Sequence, residues 1–397
     1  MTLALLHTAF LVINWIVAVA WLWRTTEALR HLPSVPDLSQ ARYAQPLPAM
    51  PLLAVIVPAR NEERAIEATL RSLLASQGVT LDILAIDDRS TDATGAIMDR
   101  IAAEPASSPH TLRVLHVESL PDGWLGKTHA MALAARQTTA PWLLFTDGDV
   151  LFRRDALARA ISFVEQSRDD HLVLFPTLLL RGAGERMLIS MFQALSIWSS
   201  RPWRIPDPRA KRDFIGIGAF NLVRRETYKA VGGFEGLRME VLEDVRFGYL
   251  IKRGGHRQRV VFGPGLISIR WAEGVRGIVD NLTKNFFAIF RFNIAKTLAA
   301  CAGLAVLCLL PFAGFFAGRA AAFASVLTLL MVFRLYRWFS RYSGVAPRYA
   351  LLFPVAACLL IFTILRSTVV TLARGGVVWR GTFYPLRELR KRAGPLW

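Results

Sequence analysis

Apolar positions in this chain form two kinds of run. Between residues 52 and 275, short apolar runs alternate with stretches of helical period. Leu52–Val57, Leu81–Ile86, Arg113–Val117 and Trp142–Thr146 read as strands; Glu62–Ser76, Asp92–Ala103 and Lys127–Arg136 read as helices. This alternation predicts an α/β domain with a mostly parallel sheet covered on both faces. The second kind of run is longer. Residues 3–23, 298–318, about 320–338 and 350–373 are apolar enough, and long enough, for bilayer spans. The patterns divide the chain into a membrane helix over 1–24, a linker over 25–51, an α/β domain over 52–275, an amphipathic segment over 276–297, membrane segments over 298–373 and a basic tail over 374–397. The linker carries Pro33, Pro36, Pro46, Pro48 and Pro51. Within the amphipathic segment, Lys284 and Arg291 stand among Phe286, Phe287, Phe290 and Phe292, which suits a helix on the membrane surface or one packed beneath the domain.

Composition supports a membrane protein. The hydrophobic fraction is 53%, and the net charge is +18, from 48 Lys and Arg against 30 Asp and Glu. Many of the basic residues flank the apolar segments: Arg24, Arg30, Arg334, Arg337, Arg341, Arg348, Arg374, Arg387, Arg390 and Lys391. That is the signature of cytoplasmic flanks and anionic lipid, and no nucleic-acid fold signature accompanies it, so no nucleic-acid partner is expected. No small-residue cleavage site follows the first segment, and Trp21, Trp23 and Arg24 read as an interfacial anchor, so the helix is expected to stay uncleaved. Cys301, Cys308 and Cys358 all lie in apolar segments and read as buried free thiols, with no zinc spacing. Arg24 and Arg30 place the α/β domain in the cytoplasm of a bacterial-type inner or plasma membrane. Three full C-terminal spans would then leave the basic tail outside, against the charge rule. Pro354 and Arg366 make 350–373 the segment expected to be re-entrant or interfacial.

The candidate chemistry lies just after strand ends, where open α/β sheets bind ligands. Asp147-Gly148-Asp149 follows the last predicted strand. Two carboxylates flanking a glycine form a hard-oxygen site for a divalent cation, Mg²⁺ or Mn²⁺, that also holds a diphosphate. Asp87 or Asp88, at the second strand's end, can accept hydrogen bonds from a base or ribose; Ser90 or Thr91 reads equally as a helix cap there. Lys127 opens a helix after Gly126, an unfavourable place for a cation unless an anion binds, so it reads as a diphosphate contact. Glu243 and Asp244 start a later helix, and a carboxylate on the acceptor side is what proton removal from a hydroxyl requires.

Five patterns stand in fixed order: Pro58-Ala59-Arg60-Asn61-Glu62-Glu63, Asp87-Asp88-Arg89-Ser90-Thr91-Asp92, Gly123-Trp124-Leu125-Gly126-Lys127-Thr128-His129-Ala130, Asp147-Gly148-Asp149, and Leu242-Glu243-Asp244-Val245 after Val231-Gly232-Gly233-Phe234. Together they resemble the family 2 glycosyltransferases, inverting enzymes with the Rossmann-like GT-A fold, over roughly residues 52–290. The resemblance implies a nucleotide-sugar donor (UDP- or GDP-sugar) contacted by Pro58, Ala59, Arg60, Asn61, Glu62, Asp87, Asp88, Lys127 and Asp147. It implies a metal on Asp149, with Asp147 supporting the metal or orienting the sugar. It implies Asp244 as general base, Glu243 beside it facing elsewhere on the helix, and an acceptor pocket shaped by Gly218, Ala219 and Phe220. Trp271 reads as an acceptor platform or an interfacial tryptophan.

Processive synthases of that family carry a QxxRW motif soon after the base; here the stretch reads Asp280-Asn281-Leu282-Thr283-Lys284-Asn285-Phe286-Phe287. Arg334-Leu335-Tyr336-Arg337-Trp338 lies much further on and reads as a membrane flank. Lys284-Asn285-Phe286, the three apolar C-terminal segments and Trp379-Arg380-Gly381 are closer to the hopanoid-, carotenoid- and ceramide-associated enzymes. The resemblance therefore implies transfer of a sugar to a membrane lipid of isoprenoid, sphingolipid or glycerolipid type. The alternatives are transfer to a polyprenyl phosphate, a short-chain polysaccharide synthase, and an inactive membrane scaffold with the same fold.

Overall fold

The computed structural model describes residues 2–45, 50–105, 109–379 and 381–392; Pro46, Pro48 and Arg380 lie outside the described residues. In chain order come α1 (Thr2–His31), β1 (Leu52–Ala59), α2 (Ile66–Leu74), β2 (Thr80–Asp88), α3 (Thr94–Ala102), β3 (Thr111–Val117), α4 (Gly126–Arg136) and β4 (Trp142–Phe145). The chain continues through β5 (Val150–Phe152), α5 (Ala156–Ser167), β6 (His171–Leu174), β7 (Thr177–Leu178), α6 (Ala183–Ser199), β8 (Asn221–Arg224), α7 (Arg225–Ala230), α8 (Glu243–Arg253), β9 (Gln258–Val261) and β10 (Ile267–Ile269). Then follow α9 (Gly274–Ile289), α10 (Ile294–Cys308), α11 (Leu310–Ala313), α12 (Arg319–Ser343), α13 (Phe353–Arg374), β11 (Gly376–Trp379), β12 (Thr382–Pro385) and α14 (Leu386–Arg392).

Seven strands form one sheet in the order β3-β2-β1-β4-β8-β6-β9. Alternate residues of β1 feed two cores: Leu53, Val55 and Val57 pack on one face, Ala54 and Ile56 on the other. A strand buried on both faces is apolar without alternation, which is why the run at 52–57 reads so plainly. The sheet is mostly parallel, as the pattern predicts; of its seven strands β8 alone runs antiparallel, to both β4 and β6. The alternating sequence pattern carries no sign of direction for so short a strand. From β1 the chain moves outward to β2 and β3, then returns to the far side of β1 as β4. A sheet whose strand order reverses opens a crevice at the carboxyl ends of the flanking strands, here β1 and β4.

The linker is stitched to the domain: Leu38 N–H donates to Phe262 O (2.8 Å), Phe262 N–H to Pro36 O (2.8 Å), and Arg159 Nη1 to Leu38 O (2.8 Å). Among the described residues, four helical segments are long and apolar enough to cross a membrane: Leu3–Ser34, Ile294–Phe316, Arg319–Ser343 and Pro347–Arg374. The first and third pack together through small and polar groups, with Asn14 Nδ2 donating to Ala321 O (3.0 Å) and Ser325 Oγ (3.3 Å). The expected anchor at the end of the first helix is divided. Trp23 is exposed, whereas Trp21 is fully buried and donates to Leu307 O (3.1 Å). Arg24 turns inward to Trp198 O in the last turn of α6 and to Ser200 O just beyond it. Cys301 and Cys308 are buried, but Cys358 is exposed.

α13 starts with Phe353 against Trp21 and packs along α9. Ser367 enters the α9 ladder: Phe287 N–H donates to Ser367 Oγ (2.9 Å), and that hydroxyl donates to Thr283 O. Beyond α13, β11 and β12 pair as a hairpin that reaches the α/β domain. Arg60 Nη1 donates to Thr382 Oγ1 (3.1 Å), and Gly126 N–H donates to Tyr384 Oη (3.3 Å). The start of the basic tail therefore lies on the same side as the α/β domain.

Candidate active site

The parallel register of β1 and β2 sets Ala59 opposite Asp87, so the two strand-end loops leave the sheet side by side. Each contains a non-glycine residue in the left-handed region, Asn61 (φ 55°) and Arg89 (φ 57°). Backbone of this kind persists only where neighbours hold it. The neighbours are the loops themselves: Asn61 N–H donates to Ser90 Oγ (3.1 Å), Thr91 N–H to Asn61 Oδ1 (2.8 Å), and Glu62 N–H to Thr94 Oγ1 (2.8 Å). Asp88 is buried and accepts from Arg89 Nε (2.8 Å). Asp87 accepts from Ser90 N–H (3.1 Å) and contacts His116 Nδ1 (3.2 Å); Asp99 and Asp87 hold the His116 imidazole above its usual range. Pro58 and Ala59 lie within β1 and are buried. A Cβ at Gly126 would stand 2.0 Å from Asp88 Oδ2, so any side chain there would displace the Asp88–Arg89 pair against which α4 begins.

At the end of β4, Thr146 Oγ1 donates to Ala219 O (2.8 Å), and Gly148 passes beneath β1, where a Cβ would lie 3.2 Å from Ala59 Cβ. Asp147 and Asp149, on either side, are partly exposed. Under this turn Phe145, Phe234 and Phe247 pack ring on ring. Phe234 reaches that position because Gly232 (φ 83°) and Gly233 (φ 55°) turn the chain just before it.

Lys127 is the centre of the arrangement. From the first turn of α4 its Nζ reaches Asp147 Oδ1 (2.6 Å) and Glu243 Oε1 (2.7 Å). Burial opposes its charge, but Asp147, Glu243 and Asp244 more than offset this and hold the ammonium above its ordinary range. The sequence reading expected Glu243 to face elsewhere; in the structure it is buried and faces the site, where Lys127 bridges it to Asp147, because the first turn of α8 points at the first turn of α4. Asp244 accepts from Gly218 N–H (2.8 Å) and Val245 N–H (2.7 Å). Burial and the neighbouring Glu243 charge raise its carboxyl to about 7, while Lys127 pulls the other way. Ile215–Gly218 presses backbone to backbone on α8: a Cβ at Gly216 would lie 1.8 Å from Asp244 O, and one at Gly248 1.9 Å from Ile215 O.

The remaining predicted residues divide. Gly218 touches Asp244, whereas the side chains of Ala219 and Phe220 are buried in the core beneath. Trp271 stacks on Phe192 (6.1 Å) beside the membrane-side core. Sequence reasoning missed Gln258, whose side chain accepts from Ile215 N–H (2.9 Å) and donates to Ile215 O (3.0 Å), fixing the loop that carries Gly218. It also missed Thr382 and Tyr384, which the hairpin delivers to Arg60 and Gly126; Lys284 lies over the Trp379 ring (5.3 Å) at the hairpin's other edge. Only the polar content of the tail could have signalled them.

Among the described residues no group of three or more His, Cys, Asp or Glu could hold a metal ion. A cation that shares its shell with a diphosphate needs only one or two carboxylates from the protein. Asp149 and Asp147, hard oxygen donors at the crevice, fit that requirement.

Residues 54–232 match the family model described as Glycosyl transferase family 2. Among curated proteins, the chain is 23% identical over 236 residues to the 4,4'-diaponeurosporenoate glycosyltransferase of Staphylococcus haemolyticus (strain JCSC1435), covering 59% of this chain and 60% of that protein. It is 24% identical over 237 residues to the protein of the same name from Staphylococcus aureus (strain MRSA252), with the same coverage. The match thus spans about 60% of the length of these relatives. Among solved structures, the mannosyltransferase PcManGT from Pyrobaculum calidifontis, in complex with GDP-Man and Mn2+, aligns over 90% of this chain and 99% of its own, with TM-score 0.49 and 20% identity. TarS of Staphylococcus aureus in complex with UDP-GlcNAc aligns over 84% of this chain and 96% of its own, with TM-score 0.39 and 15% identity.

Proposed function

We propose that this chain, which carries a glycosyl transferase family 2 domain over residues 54–232, is a membrane-bound inverting glycosyltransferase. It moves a sugar from a UDP- or GDP-sugar to a hydroxyl of a lipid. The observation that carries this reading is the joining, through Lys127, of the strand-end carboxylate Asp147 with Glu243, next to Asp244 at the start of α8. A donor side and an acceptor side therefore meet at one buried ammonium. The 4,4'-diaponeurosporenoate glycosyltransferase relatives and the four apolar helical segments support a lipid acceptor. Arg24, Arg30 and the basic tail, joined to the domain's side by the hairpin, support a cytoplasmic catalytic domain.

The strand-end loops at 59–62 and 87–91 form the floor for base and ribose. The acceptor oxygen attacks the anomeric carbon as the bond to the diphosphate breaks, and the hydroxyl proton passes to Asp244. Gly218 and Val245 N–H groups aim that carboxylate. With its pKa raised toward neutrality, it is a better base than an ordinary aspartate. Glu243 and Asp147, tied by Lys127, keep the base at a fixed distance from the donor side. Asp149, with Asp147, would hold a divalent cation, Mg²⁺ or Mn²⁺, whose charge offsets that of the departing diphosphate.

The test uses detergent-purified protein with Mn²⁺ or Mg²⁺ and radiolabelled UDP- and GDP-sugars. Label is followed into the organic phase of a lipid extract, wild type beside Asp149→Asn and Asp244→Asn. Lipid-phase label lost in Asp149→Asn is expected. Near-full activity of Asp244→Asn would move the acceptor to a phosphate or carboxylate, which needs no base. Absence of transfer, sugar-nucleotide hydrolysis and nucleotide binding would refute the glycosyltransferase.

A further inference from the structure

A cavity of about 340 Å³ opens beside the first turns of α8, lined in part by Glu235, Arg238, Glu240, Arg246 and Leu250. It is separate from the Lys127 cluster, and its charge does not balance. Glu235 is engaged by Arg136 (2.8 Å). Glu240, buried, is left facing Arg291 (3.3 Å) and the nearby Arg246, while Arg238 lies over the Trp124 ring (4.8 Å) at the rim. Both lining carboxylates are thus engaged by arginines from outside the lining, Arg136 and Arg291, which leaves Arg238 and Arg246 in the cavity wall without an ion-pair partner of their own among the described residues. Arg246 Nη1 and Arg291 Nε and Nη2 are shut off from solvent with no hydrogen-bond partner among the described residues. Charged donors left so are costly, and they mark a place where an acceptor is missing.

The backbone points the same way. Arg291 (φ 57°) and Phe292 (φ 54°) are consecutive non-glycine residues in the left-handed region, a conformation that neighbours must hold. Phe292 N–H donates to Phe287 O (2.8 Å), and Arg390 Nη2 of the tail helix donates to Phe292 O (2.8 Å). That corner directs Arg291 at Glu240, and two residues later the chain enters the apolar segment Ile294–Phe316. Through Glu240 the cavity is therefore joined to the start of an apolar segment long enough to cross a membrane.

We infer that this cavity binds a phosphate-bearing anion, the headgroup of an anionic phospholipid that is neither donor nor acceptor. Guanidinium forks match phosphate oxygens two at a time, and the anion completes the donors of Arg246, with Arg238 at the rim. The inference rests on the membrane placement proposed above; its test reads binding without any sugar transfer, so the two fail separately.

The unfolding midpoint of the full chain in neutral detergent is followed while titrating dihexanoyl-phosphatidylglycerol, dihexanoyl-phosphatidylcholine or inorganic phosphate. Saturable stabilisation by the phosphatidylglycerol alone is expected. Arg246→Gln and Arg238→Gln should each weaken it ~10-fold or more, as loss of a charge-assisted hydrogen bond does. Arg238 is exposed, so its variant keeps the fold even if Arg246→Gln does not. Arg276→Gln, on the highly exposed face of α9, should leave the response unchanged. Equal stabilisation by both lipids, an unaltered response in Arg238→Gln and Arg246→Gln, or equal weakening in Arg276→Gln would overturn the site. Inorganic phosphate matching the phosphatidylglycerol would overturn the lipid assignment in favour of a soluble ion.

Discussion

Replacing Lys127 by Met and Glu243 by Gln should move the acid limb of the pH–rate profile in opposite directions. In the wild-type protein burial and Glu243 raise the Asp244 carboxyl to about 7, and Lys127 opposes them. The ionised carboxylate is the active form, so kcat/KM rises with pH through that value. The ionised fraction is about one-tenth at pH 6 and nine-tenths at pH 8, a roughly tenfold rise across the interval. Removing the Lys127 ammonium withdraws the charge that favours ionisation, and the limb moves to higher pH. It also leaves Asp147, Glu243 and Asp244 without their counter-ion, so the rate falls at every pH. Neutralising Glu243 removes a repelling carboxylate, and the limb moves to lower pH. Asp244→Asn abolishes the limb and lowers the rate ~10²- to 10⁴-fold, the usual worth of a positioned base. The assay is initial-rate transfer of labelled sugar to lipid from pH 5.5 to 9 at fixed metal concentration. A limb near neutrality that survives in Asp244→Asn, or one that rises in Glu243→Gln, would refute the assignment of Asp244 and its neighbours.

Gly216→Ala puts a Cβ 1.8 Å from Asp244 O, a contact between backbones that no rotamer relieves; transfer should fall at least ~100-fold as Gly218 N–H leaves the Asp244 carboxylate, while circular dichroism shows a folded protein. Tyr384→Phe removes the hydroxyl that accepts from Gly126 N–H (3.3 Å); the loss of about 1 kcal/mol should raise the donor KM roughly fivefold, with kcat little changed, in steady-state kinetics. Ser367→Ala strips the bridge between Phe287 N–H and Thr283 O in α9; two buried backbone groups lose their partner, and stability should drop about 1–3 kcal/mol, read as a lower unfolding midpoint in detergent.

The strands at 52–59, 80–88 and 142–145 and the turns after them were legible in the chain because their causes are local. Parallel strands buried on both faces must be continuously apolar, and the carboxylates and glycines just beyond them sit where the chain leaves the sheet. The four long apolar helices were legible for the same reason, since span length is a count along the chain. That Lys127 and Glu243 meet was not legible. Lys127 stands over a hundred residues from Glu243, and nothing along the chain says that the first turns of α4 and α8 face each other. Strand direction was hidden likewise: β8 is too short to carry a sign, and its antiparallel place between β4 and β6 follows from the path of its neighbours. The basic tail, in sequence a membrane flank, becomes in the fold a hairpin that sets Thr382 and Tyr384 against the loops after β1 and before α4. The amino-acid sequence by itself determined which residue types stand at each strand end and which segments avoid water. The tertiary structure alone decided which charges meet, because an ion pair is set by closeness in space and not by spacing along the chain.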